Sequence, residues 1–321
     1  MNHSIDRFQD VHLHASALQG WKNTYSQISA GTLESSLMQL SGARSHAFRE
    51  RIGQRVVQHG ETPRDKVCVA MPVGMYGIAS IQGREADANS IFFLRSGQEY
   101  MCHMPKDMDL LGITFQRDFF EETIEKTPHG REIEALFKQP LIRVPAKRLA
   151  ECRRRLLAMF TEAVINDDFG DTLEHEHELE QAMLDELVGL LSDPECDRRQ
   201  RPPSTTHSFI VEKCHLLTMS DAFNTPSVIE LCQRLQVSRR TVQNSFRNVA
   251  ETTPLNYLRC VRLNGVRREL MHTCAAALSV GDAAGNWGFF HLSHFAADYQ
   301  ELFGELPSQT RRAVVPRRLD S

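Results

Sequence analysis

The sequence predicts an α+β protein in which a β-rich unit comes first, a helix pair follows, and an all-helical unit ends the chain. Three observations predict this order. Short apolar runs with intervening turn residues fill about 65–115, two amphipathic stripes fill about 146–193, and helical periodicity resumes at about residue 208 and runs to about 302. A chain of 321 residues is long enough to build two units with separate cores.

The β-rich unit is predicted from five short segments between about Asp65 and Phe115. They are KVCVAM, GIASIQG, SIFFLRSG, QEYMCHM and DLLGITF, with turns marked by Gly77, Gly83, Gly97 and the stretch 105–107. Several short strands separated by regular turns favour a small barrel or jelly roll. The preceding stretch 21–60 also alternates, but its pattern does not distinguish strands from other structure.

Two amphipathic helices are predicted after the strands, on either side of the sequence NDDFGD. The first stripe is Leu149, Cys152, Leu156, Met159, Phe160 and Ala163, and the second is Leu179, Met183, Leu187, Leu190 and Leu191. Their apolar faces could pack on the β unit or against a second copy of the chain, so a homodimer is one expectation. Residues 193–207, DPECDRRQRPPSTTH, have a linker composition. We therefore predict domains at 1–192 and 208–310.

Composition excludes several classes of protein. No apolar run approaches the ~20 residues that a membrane span needs, and the N-terminus lacks the features of a secretory signal. Eight scattered cysteines without a C-x-x-C pair indicate reduced thiols, so we expect a cytoplasmic protein. The net charge of −4 argues against a uniformly basic nucleic-acid binder. Residues 227–275, however, contain eight arginines against three glutamates, which is the local charge pattern of a DNA-contacting module.

A first helix-turn-helix is predicted over about 227–249, in SVIELCQRLQVSRRTVQNSF and the residues after it. Ile229, Leu231 and Leu235 are apolar at helical spacing, and Val237 would plug the turn. Ser238 is a suitable N-cap for the second helix.

Val242 and Phe246, four residues apart, would anchor this second helix inward. That burial turns a polar set outward, namely Arg239, Arg240, Gln243, Asn244 and Arg247. These residue types suit phosphates and the base edges of the major groove. The alternative is an ordinary solvated face, although such a face usually contains acidic residues, and none occurs between Ser238 and Ala250.

A second helix-turn-helix is predicted over about 279–303, in SVGDAAGNWGFFHLSHFAADYQELF. Ser279 would cap the first helix, Gly288 would form the turn and Phe289 would plug it. Phe295 and Tyr299 would anchor the second helix. Two such units about 50 residues apart suit successive major-groove faces on one side of a duplex.

The sequence resembles the DNA-binding domain of AraC/XylS-type bacterial transcription regulators over roughly 208–308. The resembling segments are VSRRTVQNSF, TPLNYLRCVRLNGVRREL and WGFFHLSHFAADYQELFGELPS. Within the family they are most similar to regulators of ethanolamine-utilisation operons. The resemblance implies a cupin-like β unit and a dimerising helix pair before the DNA-binding domain. It also implies double-stranded DNA and RNA polymerase as partners, a nucleoid-associated location, and activation of an operon.

The resemblance also implies roles for individual residues. Arg240, Gln243 and Asn244 match base-contacting positions, while Arg239 and Arg247 match phosphate-contacting ones. In the second unit the matching or flanking positions are His291, Leu292, Ser293, His294, Ala296 and Ala297. Small side chains here leave little for hydrogen-bonded base recognition, so we expect the first unit to carry most direct specificity.

The N-terminal unit of such a regulator usually senses a small molecule. Aromatic and histidine side chains are the candidate effector contacts, namely Trp21, Tyr25, Phe93, Tyr100 and His103. Aromatics at strand spacing also fill barrel cores, and that alternative stays open. A regulator that acts without any ligand is a further alternative.

An enzyme is the main alternative from another class, as a metabolite-binding or cupin-type β unit with a degenerate helical tail. A cupin metal site needs several histidines and a carboxylate from neighbouring strands, whereas the strand region contains only His103. In HLH (12–14) and EHEHE (174–178), histidines alternate with other residues within one short segment, so these motifs do not supply ligands from neighbouring strands. No G-x-S-x-G, P-loop or G-x-G-x-x-G motif occurs in a suitable setting. We therefore expect no catalysis, no metal and no cofactor.

Overall fold

The computed structural model describes residues 1–165, 173–196, 206–220 and 225–313. Two compact units are present, one formed by Met1–Tyr25 with Glu34–Pro203 and the other by Ser26–Leu33 with Ser204–Ser321. Most of the predicted linker, like NDDFGD, lies outside the described residues. Its last two residues are helical, which corrects the predicted boundary at residue 207.

Unit 1 contains two β-sheets and five helices among its described residues. The strands are β1 (Asn2–Phe8), β2 (Lys22–Gln27), β3 (Ser35–Ser41), β4 (Ser45–Ile52), β5 (Val56–Glu61), β6 (Lys66–Gly74), β7 (Ala79–Ile81), β8 (Arg84–Ala86), β9 (Ser90–Leu94), β10 (Glu99–Met104), β11 (Met108–Gln116) and β12 (Leu141–Arg143). The helices are α1 (Val11–Ala17), α2 (Arg117–Glu125), α3 (Gly130–Leu136), α4 (Ala146–Ile165) and α5 (Leu173–Leu191). This architecture confirms the predicted α+β class for the N-terminal part.

The strand order is β1-β3-β4-β11-β6-β9-β12 in one sheet and β2-β5-β10-β7-β8 in the other. Antiparallel pairing joins neighbours such as β6 and β11 or β5 and β10. All five predicted strand segments form strands. The stretch 21–60, which sequence could not assign, supplies most of β2 to β5, and the short helices α1, α2 and α3 were not predicted.

Strands β6, β9 and β11 of the seven-stranded sheet are buried on both faces, and side-chain alternation divides their residues between the two faces. Along β6, Cys68 and Ala70 face a cavity between the sheets, while Val67 and Val69 face a core shared with the helices. Long apolar runs such as that of β6 follow from this double burial.

The predicted helix pair α4 and α5 packs on the second face of this sheet. Their stripes join one apolar cluster with strand residues such as Val69 and Phe93, although Met159 is only half-buried. Glu180 of α5 is fully buried and accepts hydrogen bonds from the backbone N–H groups of Arg44 (2.7 Å) and Ser45 (2.8 Å). The stripes therefore pack on the β unit, which was one of the two predicted partners.

Unit 2 contains six α-helices among its described residues. They are α6 (Thr206–Ser220), α7 (Val228–Leu235), α8 (Arg239–Ala250), α9 (Pro254–His272), α10 (Val280–Asn286) and α11 (Leu292–Phe303). Helices α7 and α8 form the helix-turn-helix predicted at about 227–249, and α10 and α11 form the one predicted at about 279–303. None of the helices in the described part of the chain is both long and apolar enough to cross a membrane.

The segment Ser26–Leu33 belongs to unit 2, which corrects its predicted place in the first domain. The backbone N–H of Gln27 donates to Asn264 Oδ1 (3.0 Å), and Asn264 Nδ2 donates to the carbonyl of Gln27 (2.8 Å). Gln27 Nε2 also donates to the carbonyl of Leu302 at the end of α11. The buried amide of Asn264 is thus satisfied by a distant stretch of backbone.

Helix α9 holds unit 2 together because helices on either side pack against it. Tyr257 is fully buried, with its ring 5.0 Å from Phe246 of α8 and its hydroxyl 3.0 Å from His215 Nδ1 of α6. At the other end, the indole ring of Trp287 lies directly over Gly265, and Trp287 Nε1 donates to Glu269 (2.9 Å).

We predict that Gly265→Ala destabilises unit 2, because the added methyl group would overlap the Trp287 ring. Overpacking of this kind costs about 1–3 kcal/mol. Gly285→Ala is the matched control, since its added methyl group meets nothing within 4 Å. A helical Gly→Ala change without strain stabilises by about 0.4–1 kcal/mol. Urea unfolding of both variants checks this prediction, and equal free energies of unfolding would contradict it.

Candidate functional site

The first helix-turn-helix is formed by α7, α8 and the residues between them. Ser227 and Glu230 form a reciprocal capping box at the start of α7, in which the Ser227 N–H donates to Glu230 (2.7 Å). This hydrogen bond to the carboxylate lowers the pKa of Glu230. Helix α7 ends at Gln236 in the left-handed conformation (φ 53°), and Ser238 caps α8 by accepting from the Thr241 N–H (3.0 Å). Local capping therefore defines both sides of the turn.

The orientation of α8 is set by two fully buried side chains, Val242 and Phe246. Val237 is half-buried in the turn, as predicted for a plug. Ile229, which the sequence groups with Leu231 and Leu235 as apolar at helical spacing, is 61% exposed, while Leu231 is fully buried. Residues two apart on a helix lie about 200° apart, so both cannot face the core.

The outward face of α8 is polar and exposed. It carries all five residues predicted from the sequence, namely Arg239, Arg240, Gln243, Asn244 and Arg247. Within the described chain, none of these five side chains forms a hydrogen bond or an ion pair. Their donors are therefore free to bind phosphates or base edges, and Arg can do so in bidentate fashion.

The second helix-turn-helix is formed by α10, α11 and the turn at Gly288. Ser279 caps α10 by accepting from the Asp282 N–H (3.1 Å), and Gly288 takes the left-handed conformation (φ 75°). Phe289 is half-buried in the turn and lies 5.2 Å from the ring of Phe295. Phe295 and Tyr299 are buried, as predicted for the anchors of α11.

The outward face of α11 differs chemically from that of α8. The predicted residues His291, Leu292, Ser293, His294 and Ala297 are all exposed, while Ala296 is half-buried. The stretch 279–303 contains no lysine or arginine. Asp298 forms an ion pair with Arg259 of α9 (2.8 Å), which offsets its negative charge.

The start of α11 also differs from the start of α8. Its N-cap is His291, whose side chain makes no capping hydrogen bond, whereas Ser238 occupies one first-turn N–H of α8. First-turn N–H groups that lack a side-chain partner suit an anionic ligand such as phosphate.

A separate cavity lies between the two sheets of unit 1. Three of the five predicted effector contacts line it, namely Trp21, Tyr25 and Tyr100. The other two do not line it. Phe93 points to the helices, where its ring stacks 4.1 Å from Phe137, and His103 has the opposite parity to Tyr100 along β10.

Alternation along a strand explains both corrections. Phe92 lines the cavity, so its neighbour Phe93 cannot. On β10 the cavity residues are Tyr100, Cys102 and Met104, which leaves His103 on the other face. Burial lowers the pKa of His103 to about 4, with a smaller contribution from the charge of Arg55.

No sequence pattern indicated Glu50, which is 3% exposed and also lines the cavity. Its carboxylate accepts from the Tyr25 hydroxyl (3.1 Å) and from Gln58 Nε2 (2.8 Å), and lies 3.2 Å from His14 Nε2. Burial, followed by the charge of Glu50, raises the pKa of Tyr25. The HLH motif, interpreted as a local alternation, thus contributes a buried histidine to this network. Among the described residues, no group of three or more His, Cys, Asp or Glu side chains could hold a metal ion.

Residues 231–313 match the family model of a helix-turn-helix domain. The probable thc operon regulatory protein of Rhodococcus erythropolis is 32% identical over 130 residues, which cover 40% of this chain and 39% of that protein. The XylDLEGF operon transcriptional activator of Pseudomonas putida is 40% identical over 86 residues, 27% of each chain. The chain therefore matches well under half the length of these relatives.

Among solved structures, the chain is similar to the AraC-like transcriptional activator CuxR, at 14% identity and a TM-score of 0.44, over 89% of this chain and 98% of that one. The residues matched by the domain model begin within α7 and contain α8 to α11. Residues 231–313 therefore match a helix-turn-helix domain, and the chain is similar in sequence to regulators of bacterial operons.

Proposed function

We propose that the protein is a sequence-specific DNA-binding regulator of transcription. The observation that carries this proposal is the outward face of α8, where three arginines, a glutamine and an asparagine are exposed without partners in the described chain. Arg240, Gln243 and Asn244 would contact base edges in the major groove, and Arg239 and Arg247 would contact phosphates.

The second helix-turn-helix would bind the next major-groove face on the same side of the duplex. Helix α9 joins the two helix-turn-helix elements and has 19 residues, a length of ~28 Å. This length is comparable to the ~34 Å that separates successive major-groove faces. His291, Ser293 and the first-turn N–H groups of α11 would then position the domain on the backbone.

Unit 1 would sense a small-molecule effector at the cavity between its sheets, which has a volume of about 30 Å³ and would have to widen to hold the effector. The effector would change transcription of an operon by favouring one state of the protein. Activation through RNA polymerase, dimerisation, a cytoplasmic and nucleoid-associated location and a link to ethanolamine utilisation belong to the same proposal. Support for activation comes from the P. putida relatives, whose names describe operon activators. An enzymatic β unit with a degenerate tail is not favoured, because neither helix-turn-helix is degenerate. Ser238 and Ser279 cap their helices, and the apolar anchors of α8 and α11 are buried.

We predict that Arg240→Ala weakens binding to the cognate DNA site by about 1–3 kcal/mol and relaxes base preference where Arg240 contacts a base. Ala297→Ser is the comparison variant in the second helix-turn-helix. It should change DNA affinity little, since the side chain of Ala297 makes no hydrogen bond to a base. Selection of sites from random DNA supplies the cognate sequence, and titrations across single-base variants measure both effects. If Ala297→Ser costs more than Arg240→Ala, α8 is not the dominant specificity element.

Salt dependence gives a second prediction. A protein that neutralises several phosphates loses affinity steeply between ~50 and ~200 mM salt. Arg239→Ala should reduce the slope of log affinity against log salt by about 1, because one phosphate contact is lost. Arg154→Ala changes an exposed arginine of α4 and should leave the slope unchanged. A flat salt response of the unmodified protein would favour the metabolite-binding alternative.

Effector binding is tested by thermal unfolding in the presence of small amines, amino acids and aromatic acids. A ligand at a hundred times its Kd stabilises the folded protein by about 2.7 kcal/mol. Tyr100→Ala should abolish the stabilisation because its ring lines the cavity, while Tyr76→Ala, at an 81% exposed tyrosine, should preserve it. A ligand that stabilises both variants equally would bind outside this cavity.

A further inference from the structure

Two consecutive phenylalanines precede α11, of which Phe289 is half-buried and Phe290 is exposed. Phe289 packs against Phe295 and lies under the guanidinium of Arg262, 4.9 Å from its ring. Phe290 is 82% exposed, and Leu292 is 52% exposed two residues further on. Large apolar side chains in water are unfavourable, and a cluster of them on one surface indicates a contact site.

These two side chains lie at the end of α11 that would reach base edges. In helix-turn-helix proteins the N-terminal residues of the recognition helix contact the bases. Leu292 is the first residue of α11, and Phe290 comes just before its N-cap. The exposed apolar surface is therefore continuous with the DNA-contacting face proposed for the second helix-turn-helix.

The charged residues of the second helix-turn-helix restrict which bases it could recognise. Guanine is most often recognised by the paired donors of an arginine, and the stretch 279–303 has no arginine or lysine. Asp298 is already paired with Arg259. The arginines of α8, in the same unit of the fold, supply the attraction to DNA that α11 lacks.

We propose that Phe290 and Leu292 recognise the 5-methyl groups of thymines in the half of the site that faces α11. The thymine methyl is an apolar group on the major-groove edge of a base pair, and phenylalanine is one of the side chains that contact it. The two helix-turn-helix units then recognise bases by different chemistry, α8 by hydrogen bonds and α11 by apolar contact. This inference rests on the proposed DNA-binding function.

The test replaces thymine with uracil in the selected DNA site, which removes only the methyl group. Positions where Arg240→Ala relaxes base preference identify the half that faces α8, and the other half faces α11. The unmodified protein should lose about fourfold in affinity for each buried methyl removed from the α11 half. Phe290→Ala should bind the thymine site more weakly and should discriminate thymine from uracil less.

Matched controls separate this effect from general damage. Uracil in the α8 half should affect the unmodified protein and Phe290→Ala by the same factor. Tyr76→Ala removes an aromatic ring of nearly equal exposure from unit 1 and should keep full discrimination. Because Phe290 is so exposed, its replacement should not alter thermal stability.

Three results would overturn the inference. The first is specific DNA binding with no loss on uracil substitution in the α11 half. The second is full discrimination by both Phe290→Ala and Leu292→Ala. The third is that Phe290→Ala still discriminates thymine from uracil fully but reduces transcription. That result would assign Phe290 to a contact with another protein. Absence of specific DNA binding by the unmodified protein would instead reject the proposed function itself.

Discussion

The burial of Val242 and Phe246 is the constraint on which the candidate DNA-binding surface depends. Both side chains are fully buried, and Phe246 packs against Tyr257 of α9. Because they are one helical turn apart, they fix the rotation of α8 about its axis as well as its position. Arg240, Gln243 and Asn244 then lie on the outside of α8, whereas the small polar side chain of Ser245 is buried beside Phe246. The arrangement of Arg240 and Gln243 thus follows from packing on the opposite face of the helix.

The same logic operates in α11 with a different chemical outcome. Phe295 and Tyr299 anchor the helix as Val242 and Phe246 anchor α8, but the exposed side chains at 291–297 are small, apolar or histidine. Anchoring determines which positions are exposed, whereas the residue types at those positions determine what they can bind. Two units with the same architecture can therefore contribute different chemistry to one binding surface.

Unit 1 shows how a sheet buried on both faces divides its residues between two environments. Alternate residues of β6 and β9 face either the cavity or the helix core, and both environments are apolar. Hydrophobicity therefore cannot indicate which face a residue lies on, as it does for a sheet with one wet face. The cavity also contains the buried carboxylate of Glu50. Burial of this charge is tolerable only because hydrogen-bond donors such as Tyr25 and Gln58 surround it.

The sequence by itself determined the helices of unit 2, the five strands between 66 and 116 and the exposed face of α8. Their signals are local, because capping serines, turn glycines and apolar periodicity act within a few residues of the position they define. Only the tertiary structure decided that Phe93 and His103 lie outside the cavity, and that Ser26–Leu33 pairs with Asn264. These outcomes depend on partners far away in the chain, which no local pattern contains.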